Sequence, residues 1–174
     1  MTTVRGMTLP MNGDVFAPAP LGHQNILIGG WTILRMGTEK LSFPSYLDVE
    51  MVHLEGRRVM PGLIDGHCQI SGGGGEAGPT PKVAAPLAES YREARVTTVV
   101  GALETDDVAR STAELVAAAR ALEAQGINPY CHAGEYHLPL TTLTGSVRGD
   151  IVTIDRIIGA GEVANYDHRS SQPA

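Results

Sequence analysis

The feature that most constrains the fold is a regular alternation of short apolar runs and helix-like segments after Pro61. Strand-like runs lie at 63–70, 96–101, 127–131 and 157–164, and helix-like segments lie at 83–94, 111–125 and 145–154. The run at 96–101 (VTTVVG) is continuously apolar and β-branched, which is typical of a strand that is buried on both faces. A β-α-β-α-β-α-β order predicts a parallel sheet with right-handed crossovers.

The helix over 111–125 has the strongest signals. Ser111 and Glu114 have the spacing of a capping box, which favours a helix start at this point. Gly126 provides a stop signal. The apolar residues between them fall on one helical face: Leu115, Val116, Ala119 and Leu122.

Length limits how much of a barrel this alternation can form. Residues 1–60 contain short apolar runs separated by turn signals such as Gly29-Gly30, and they show no helical period, which predicts a small β domain. Residues 61–174 provide about four strands and three helices, whereas a complete (β/α)8 barrel takes about 250 residues. This second part is therefore predicted to be half of a TIM-type barrel or an open α/β sheet.

Composition excludes several classes of protein. With 43% hydrophobic residues the chain can form a core, and its net charge of -6 without a basic block argues against nucleic-acid binding. No apolar run approaches the roughly 20 residues of a membrane helix. The two cysteines are too few for a disulfide scaffold, so a reducing cytoplasm is expected.

A first group of candidate residues follows the strand at 63–70. His67 fits a metal ligand at a strand end, although a single histidine there is also compatible with a structural role. A second imidazole at i+2 would face the same side, but that position is Gln69. Cys68 should point to the opposite face as a packing thiol. The glycine run at 72–75 is either a loop that approaches a ligand closely, with Glu76 accepting from an ammonium group, or a flexible surface loop.

A second group lies at the later strand ends. Tyr136 could donate a hydrogen bond to a developing oxyanion or simply pack with its hydroxyl in water. Glu162 is predicted to lie within an apolar strand, where a carboxylate needs a metal or an arginine as its partner. Arg169 could hold a substrate carboxylate or belong to an ordinary turn.

Several motifs together resemble one enzyme family. The segment at 59–67 (VMPGLIDGH) resembles the first barrel strand of the amidohydrolase superfamily. The segments at 72–80 (GGGGEAGPT), 143–146 (LTGS) and 167–171 (DHRSS) resemble the isoaspartyl dipeptidases, also called β-aspartyl peptidases, of that superfamily. This resemblance implies a (β/α)8 barrel flanked by a β-sandwich, two zinc ions, and cleavage of the isopeptide bond in β-aspartyl dipeptides.

The resemblance also implies residue roles. His67 would be a metal ligand and Glu162 would stand at the metal-bridging position. Tyr136 would polarise the scissile carbonyl. The remaining substrate-binding residues would be Gly74 and Glu76 at the α-ammonium end, Thr105 beside the substrate, and Arg169 on the substrate carboxylate.

Two departures from the family pattern affect the expected activity. Gln69 replaces a metal-binding histidine, and the later barrel strands, which carry further metal histidines and the catalytic aspartate in the family, have no counterpart in residues 1–174. The chain alone is therefore expected to be inactive. A non-catalytic remnant, a dipeptide-binding module and a dihydroorotase-like cyclic amidase remain alternatives, and homo-oligomerisation is left open.

Overall fold

The computed structural model describes residues 6–75, 80–103, 105 and 109–163. The chain divides into two compact units, Met1–Pro61 and Gly62–Ala174.

Strands make up the regular structure of the first unit within its described residues. They are β1 (Met7–Met11), β2 (Gly13–Phe16), β3 (Pro20–Gly29), β4 (Thr32–Gly37), β5 (Val49–His53) and β6 (Arg58–Val59). Their order is β5-β1-β3-β2-β6, with β4 paired to β3. Strand β3 runs antiparallel to β1, β2 and β4, whereas β5 and β6 run parallel to β1 and β2. The predicted β-rich N-terminal portion is confirmed.

The hairpin of β3 and β4 forms where the glycine signal predicts it. Gly29 pairs with Thr32, so the loop contains only Gly30 and Trp31. Gly30 has a φ of +60°, a conformation that glycine adopts without steric cost. Two-residue loops of this kind match the twist of the strands that they join.

Parallel strands and helices alternate in the second unit. The order is β7 (Leu63–Cys68), α1 (Ala88–Glu93), β8 (Val96–Gly101), α2 (Thr112–Ala124), β9 (Asn128–Ala133), α3 (Val147–Thr153) and β10 (Ile157–Ala160). All three strand pairs are parallel, in the order β10-β9-β8-β7. The prediction of a partial TIM-type barrel with about four parallel strands is therefore confirmed.

Two element boundaries differ from the sequence expectation. Helix α1 begins at Ala88 rather than at residue 83. Pro86 limits the backbone of the residue before it, and the preceding Val83 pairs with Gly73 in an isolated β-bridge. Strand β10 ends at Ala160, so Glu162 lies two residues beyond the strand and not within it.

The core of the second unit lies between the sheet and α2. Ser111 caps α2, since its side chain accepts a hydrogen bond from the Glu114 amide at 3.2 Å, as the capping box predicts. The predicted apolar face of α2 is buried: Leu115, Val116, Ala119 and Leu122. The sheet contributes Val99, Cys131 and Ala133 to this cluster, each fully buried.

The two outer strands of this sheet remain partly uncovered. Strands β7 and β10 each pair with a single strand within the described residues. Ile64 on β7 is 71% exposed and Ile158 on β10 is 50% exposed. Helices α1 to α3 are too short to cross a membrane.

We expect the Leu115→Ala variant to lose about 2–5 kcal/mol of unfolding free energy, because the removed side chain leaves a cavity in the core. Leu115 is 0% exposed, whereas Leu87 is 73% exposed, so Leu87→Ala is a matched control. Urea denaturation of both variants measures the difference. A similar loss in the two variants would contradict the position of the core.

Candidate active site

A histidine on one outer strand and a glutamate just after the other outer strand meet in the second unit. His67 belongs to β7, and Glu162 follows β10. The His67 Nε2 atom lies 2.9 Å from Glu162 Oε1, and the side chains are 50% and 22% exposed. The first and fourth strands of a flat sheet would lie about 14 Å apart. The contact therefore requires a sheet that curls toward these residues, as a barrel segment does.

Strand alternation decides which side chains face this concave side. Cys68, next to His67, is buried on the opposite face, where its thiol lies 3.6 Å from the Val100 carbonyl oxygen. Burial raises the pKa of Cys68 to about 11 and that of Cys131 to about 12. Neither thiol is activated as a nucleophile, and the expectation that Cys68 packs on the helix side agrees with its contacts.

His132 lies near the same site and was not among the residues singled out from the sequence. Its neighbours Cys131 and Ala133 are fully buried on the helix side, so His132 faces the concave side of β9. Burial, together with the nearby His67, lowers the pKa of His132. Gly159 on β10 provides space for it, since an added Cβ there would lie 3.3 Å from His132 Cδ2. The alternation around Cys131 was the sequence signal that could have identified this histidine.

The described residues provide part of a metal site. His67 and Glu162 offer an imidazole nitrogen and a carboxylate oxygen, which are both zinc ligands. No group of three histidine, cysteine, aspartate or glutamate side chains suited to a metal ion occurs within residues 6–75, 80–103, 105 and 109–163. Gln69 stands where a second imidazole would face the same side. These donors do not form a complete zinc site by themselves.

Backbone hydrogen bonds and a close backbone approach hold the glycine run against residues 81–83. Gly73 exchanges two backbone hydrogen bonds with Val83, at 3.1 and 2.9 Å. Gly74 has a φ of +72°, and a Cβ on it would lie 2.2 Å from the Pro81 carbonyl oxygen. This conformation and this close approach both require glycine. The neighbouring Glu76 lies outside the described residues.

A buried carboxylate organises the segment around Tyr136. Glu135 is fully buried, and its carboxylate accepts hydrogen bonds from both the backbone amide and the hydroxyl group of Thr141. Tyr136 is half-buried at this loop after β9. The backbone on either side of the tyrosine is therefore tied back to the protein.

A second buried carboxylate fixes the LTGS segment. Asp150 accepts hydrogen bonds from the amides of Leu143 and Thr144 and from the Thr144 hydroxyl group, at 2.7–3.1 Å. Ser146 caps α3 by accepting from the Gly149 amide at 3.0 Å. The LTGS motif thus builds the turn that begins α3.

The other predicted site residues have different outcomes. The Thr105 hydroxyl group is buried and has no hydrogen-bond partner within the described part of the chain. Arg169 and the rest of the DHRSS motif lie outside the described residues. The structure thus brings His67 and Glu162 together. The roles assigned to these two residues and to Gly74, Glu76, Thr105, Tyr136 and Arg169 stay predictions.

Two solved structures are similar to this chain over almost all of its length. Both are β-aspartyl dipeptidases from the thermophilic, keratin-degrading Fervidobacterium islandicum AW-1. The one in complex with a β-Asp-Leu dipeptide is 37% identical, with a TM-score of 0.87, and the match covers 98% of this chain and 44% of that chain. The other is 36% identical, with a TM-score of 0.87, and the match covers 97% and 46%. No protein-family model matches the chain.

The fold is a partial TIM-type barrel of the amidohydrolase class, preceded by a β-rich portion. Within this class, the chain matches the N-terminal portion of the β-aspartyl dipeptidases, which confirms the resemblance inferred from its motifs. It spans less than half the length of the dipeptidases that it matches.

We expect Gly74→Ala to destabilise the protein more than Gly145→Ala. Both glycines have positive φ, but a Cβ at Gly145 meets nothing within 4 Å, whereas one at Gly74 overlaps the Pro81 carbonyl. Gly145→Ala should therefore cost only the backbone strain, about 1 kcal/mol. Chemical denaturation measures both losses, and equal losses would contradict the tight loop.

We expect His67→Gln to raise the pKa of His132 toward its ordinary value. The substitution removes the neighbouring imidazole whose electrostatic effect disfavours protonation of His132, while the effect of burial remains. NMR titration of the imidazole carbon protons measures the shift. Glu89→Gln is the control, because Glu89 is an exposed residue that pairs with Arg92 on α1. An unchanged or lower His132 pKa in His67→Gln would contradict the proximity of the two rings.

Proposed function

We propose that this chain provides the N-terminal part of the active site of a zinc-dependent hydrolase that cleaves the isopeptide bond of β-aspartyl dipeptides. The observation that carries the proposal is its 37% identity, over 98% of its length, to a β-aspartyl dipeptidase that was crystallised with β-Asp-Leu. The contact between His67 and Glu162 on the concave side of a partial barrel supports it.

The substrate side of the proposed site comes from three loops. The glycine loop would bind the α-ammonium end of the dipeptide through Gly74 and Glu76. Thr105, in the loop after β8, would contact the substrate through a hydroxyl group that lacks a partner within the described residues. Arg169 would bind a substrate carboxylate, for which the planar guanidinium group is well suited.

Tyr136 has the proposed catalytic role. A phenol that donates a hydrogen bond to the scissile carbonyl oxygen stabilises the negative charge that develops there. This stabilisation depends on donors that are held in place before the reaction. The buried Glu135 and its two hydrogen bonds to Thr141 supply such a fixed segment.

His67 and Glu162 are the residues of this chain that would contribute to zinc binding. Catalytic zinc sites usually take three protein ligands and structural sites take four. Two ligands alone should hold zinc weakly, so we propose that ligands other than the described side chains complete the site. Both cysteines are free thiols, which is compatible with the proposed cytoplasmic location.

A dipeptide-binding module without catalysis is the second candidate. It is favoured by the incomplete donor set within the described residues. The organised glycine loop would then keep its affinity for the dipeptide, while no hydrolysis would follow. A cyclic amidase of the dihydroorotase type has less support, because its substrate lacks the free ammonium group that Glu76 would bind.

We expect the purified 174-residue chain to show no chelator-sensitive hydrolysis of β-Asp-Leu, even with added zinc. The loss of a positioned proton acceptor typically costs 10²–10⁴-fold in rate, in addition to weak metal binding. A coupled assay for released leucine, with zinc and with a chelator, measures this. Chelator-sensitive turnover by the unmodified chain would overturn the expected inactivity.

Zinc binding and dipeptide binding by the same chain distinguish the two candidate functions. Gln69→His should tighten zinc binding in calorimetry without producing turnover, because it adds one imidazole on the side that His67 faces. Gln125→His, on the loop after α2, is the matched control and should leave zinc affinity unchanged. Saturable binding of β-Asp-Leu without zinc would favour the binding module. Unchanged zinc affinity in Gln69→His would contradict the metal role of His67.

A further inference from the structure

We infer that Arg110 is a positioning residue that locks the glycine loop into the conformation in which it meets the substrate. The inference rests on the proposed function for what the loop binds. The anchoring itself rests on the contacts of Arg110, which belongs to neither the predicted metal site nor the predicted substrate site.

Arg110 is a buried cation whose partners are backbone carbonyls. Arg110 is only 7% exposed. Nη2 donates to the Gly73 carbonyl oxygen at 2.6 Å, and Nη1 donates to the Gly74 carbonyl oxygen at 3.1 Å. Within the described residues, no carboxylate forms an ion pair with it. Because a buried charge is costly unless it is hydrogen-bonded, these two hydrogen bonds favour the observed position of the guanidinium group.

Two successive carbonyl groups that reach one guanidinium group define an unusual backbone shape. In an extended strand, successive carbonyl groups point in opposite directions. The positive φ of Gly72 and Gly74, +99° and +72°, allows the chain to depart from that pattern. Each peptide group is planar and trans, so its N–H points away from its C=O. By binding the carbonyls of Gly73 and Gly74, Arg110 therefore turns the amides of Gly74 and Gly75 away from itself.

Arg110 also connects two loops of the proposed site. It immediately precedes Ser111, the residue that caps α2, so its backbone is fixed to the start of that helix. It lies in the same connection between β8 and α2 as Thr105. The guanidinium group reaches from this connection to the glycine loop after β7. A single side chain thus ties the connection between β8 and α2 to the glycine loop.

The test uses the 174-residue chain and three variants: Arg110→Ala, Arg110→Lys and Arg120→Ala. Arg120 is an exposed arginine of α2 and serves as the matched control. Hydrogen exchange of the Gly73 and Val83 amides, which pair with each other, reports on the loop. Calorimetry with β-Asp-Leu in the presence of zinc reports on binding.

In Arg110→Ala, we expect the Gly73 and Val83 amides to exchange at least about tenfold faster, the effect of losing a charged hydrogen bond. The amide of Ala119, in the buried face of α2, should be unchanged, and affinity for β-Asp-Leu should fall about tenfold. Arg110→Lys should keep only part of the protection of these amides from exchange, since an ammonium group cannot reproduce the planar guanidinium fork. Added guanidinium ion at millimolar concentration should slow the exchange in Arg110→Ala and not in Arg120→Ala.

The inference is overturned if Arg110→Ala exchanges and binds as Arg120→Ala does, or if guanidinium ion rescues neither property. If Arg110→Ala does not fold, Arg110→Lys decides, and wild-type exchange in that variant overturns the inference. If the unmodified chain binds no β-Asp-Leu in the presence of zinc, the proposed function fails for this chain. The exchange of Gly73 and Val83 then decides separately whether Arg110 anchors the loop.

Discussion

The candidate site depends on the parallel pairing of β7, β8, β9 and β10. Parallel strands bring their carboxyl ends to the same end of the sheet. Right-handed crossovers place the helices on its convex face. Curling of the sheet then brings a residue of one outer strand into contact with a residue that follows the other, as the 2.9 Å distance between His67 Nε2 and Glu162 Oε1 requires. Side chains that are about 95 residues apart in the chain meet for this reason. The same geometry leaves Ile64 and Ile158 exposed on the outer strands.

Alternation along the strands separates structural side chains from chemical ones. On β9, Cys131 packs toward the helices, where burial raises its thiol pKa to about 12, while His132 faces His67. On β7, likewise, Cys68 packs toward the helices and His67 faces the concave side. Neighbouring residues thus lie on different sides of the sheet, because successive strand side chains point to opposite faces. The concave face therefore carries the imidazoles and the carboxylate, and the convex face packs against the helices in the core.

Buried charged groups of this chain are used mainly to shape loops. Arg110 binds carbonyls of the glycine loop, Glu135 binds Thr141, and Asp150 binds the backbone that leads into α3. Each group exchanges its hydration for hydrogen bonds to a loop. Proposed substrate contacts from these loops therefore rest on an organised backbone. The proposed metal site is less complete, since the described residues supply two donors.

The sequence by itself determined the periodic features. The continuous β-branched run of β8, the capping box at Ser111 and the order of elements predicted a partial parallel barrel, because burial and capping leave a local pattern. Helix propensity could not predict the residue at which α1 begins, because the pairing of Val83 with Gly73 competes with the helix. The family resemblance placed His67 and Glu162 at one metal site, but their direct contact and the anchoring by Arg110 were decided by tertiary structure. They join residues that only the curl of the sheet and the crossing of two loops bring within hydrogen-bond distance, and no local pattern records that distance.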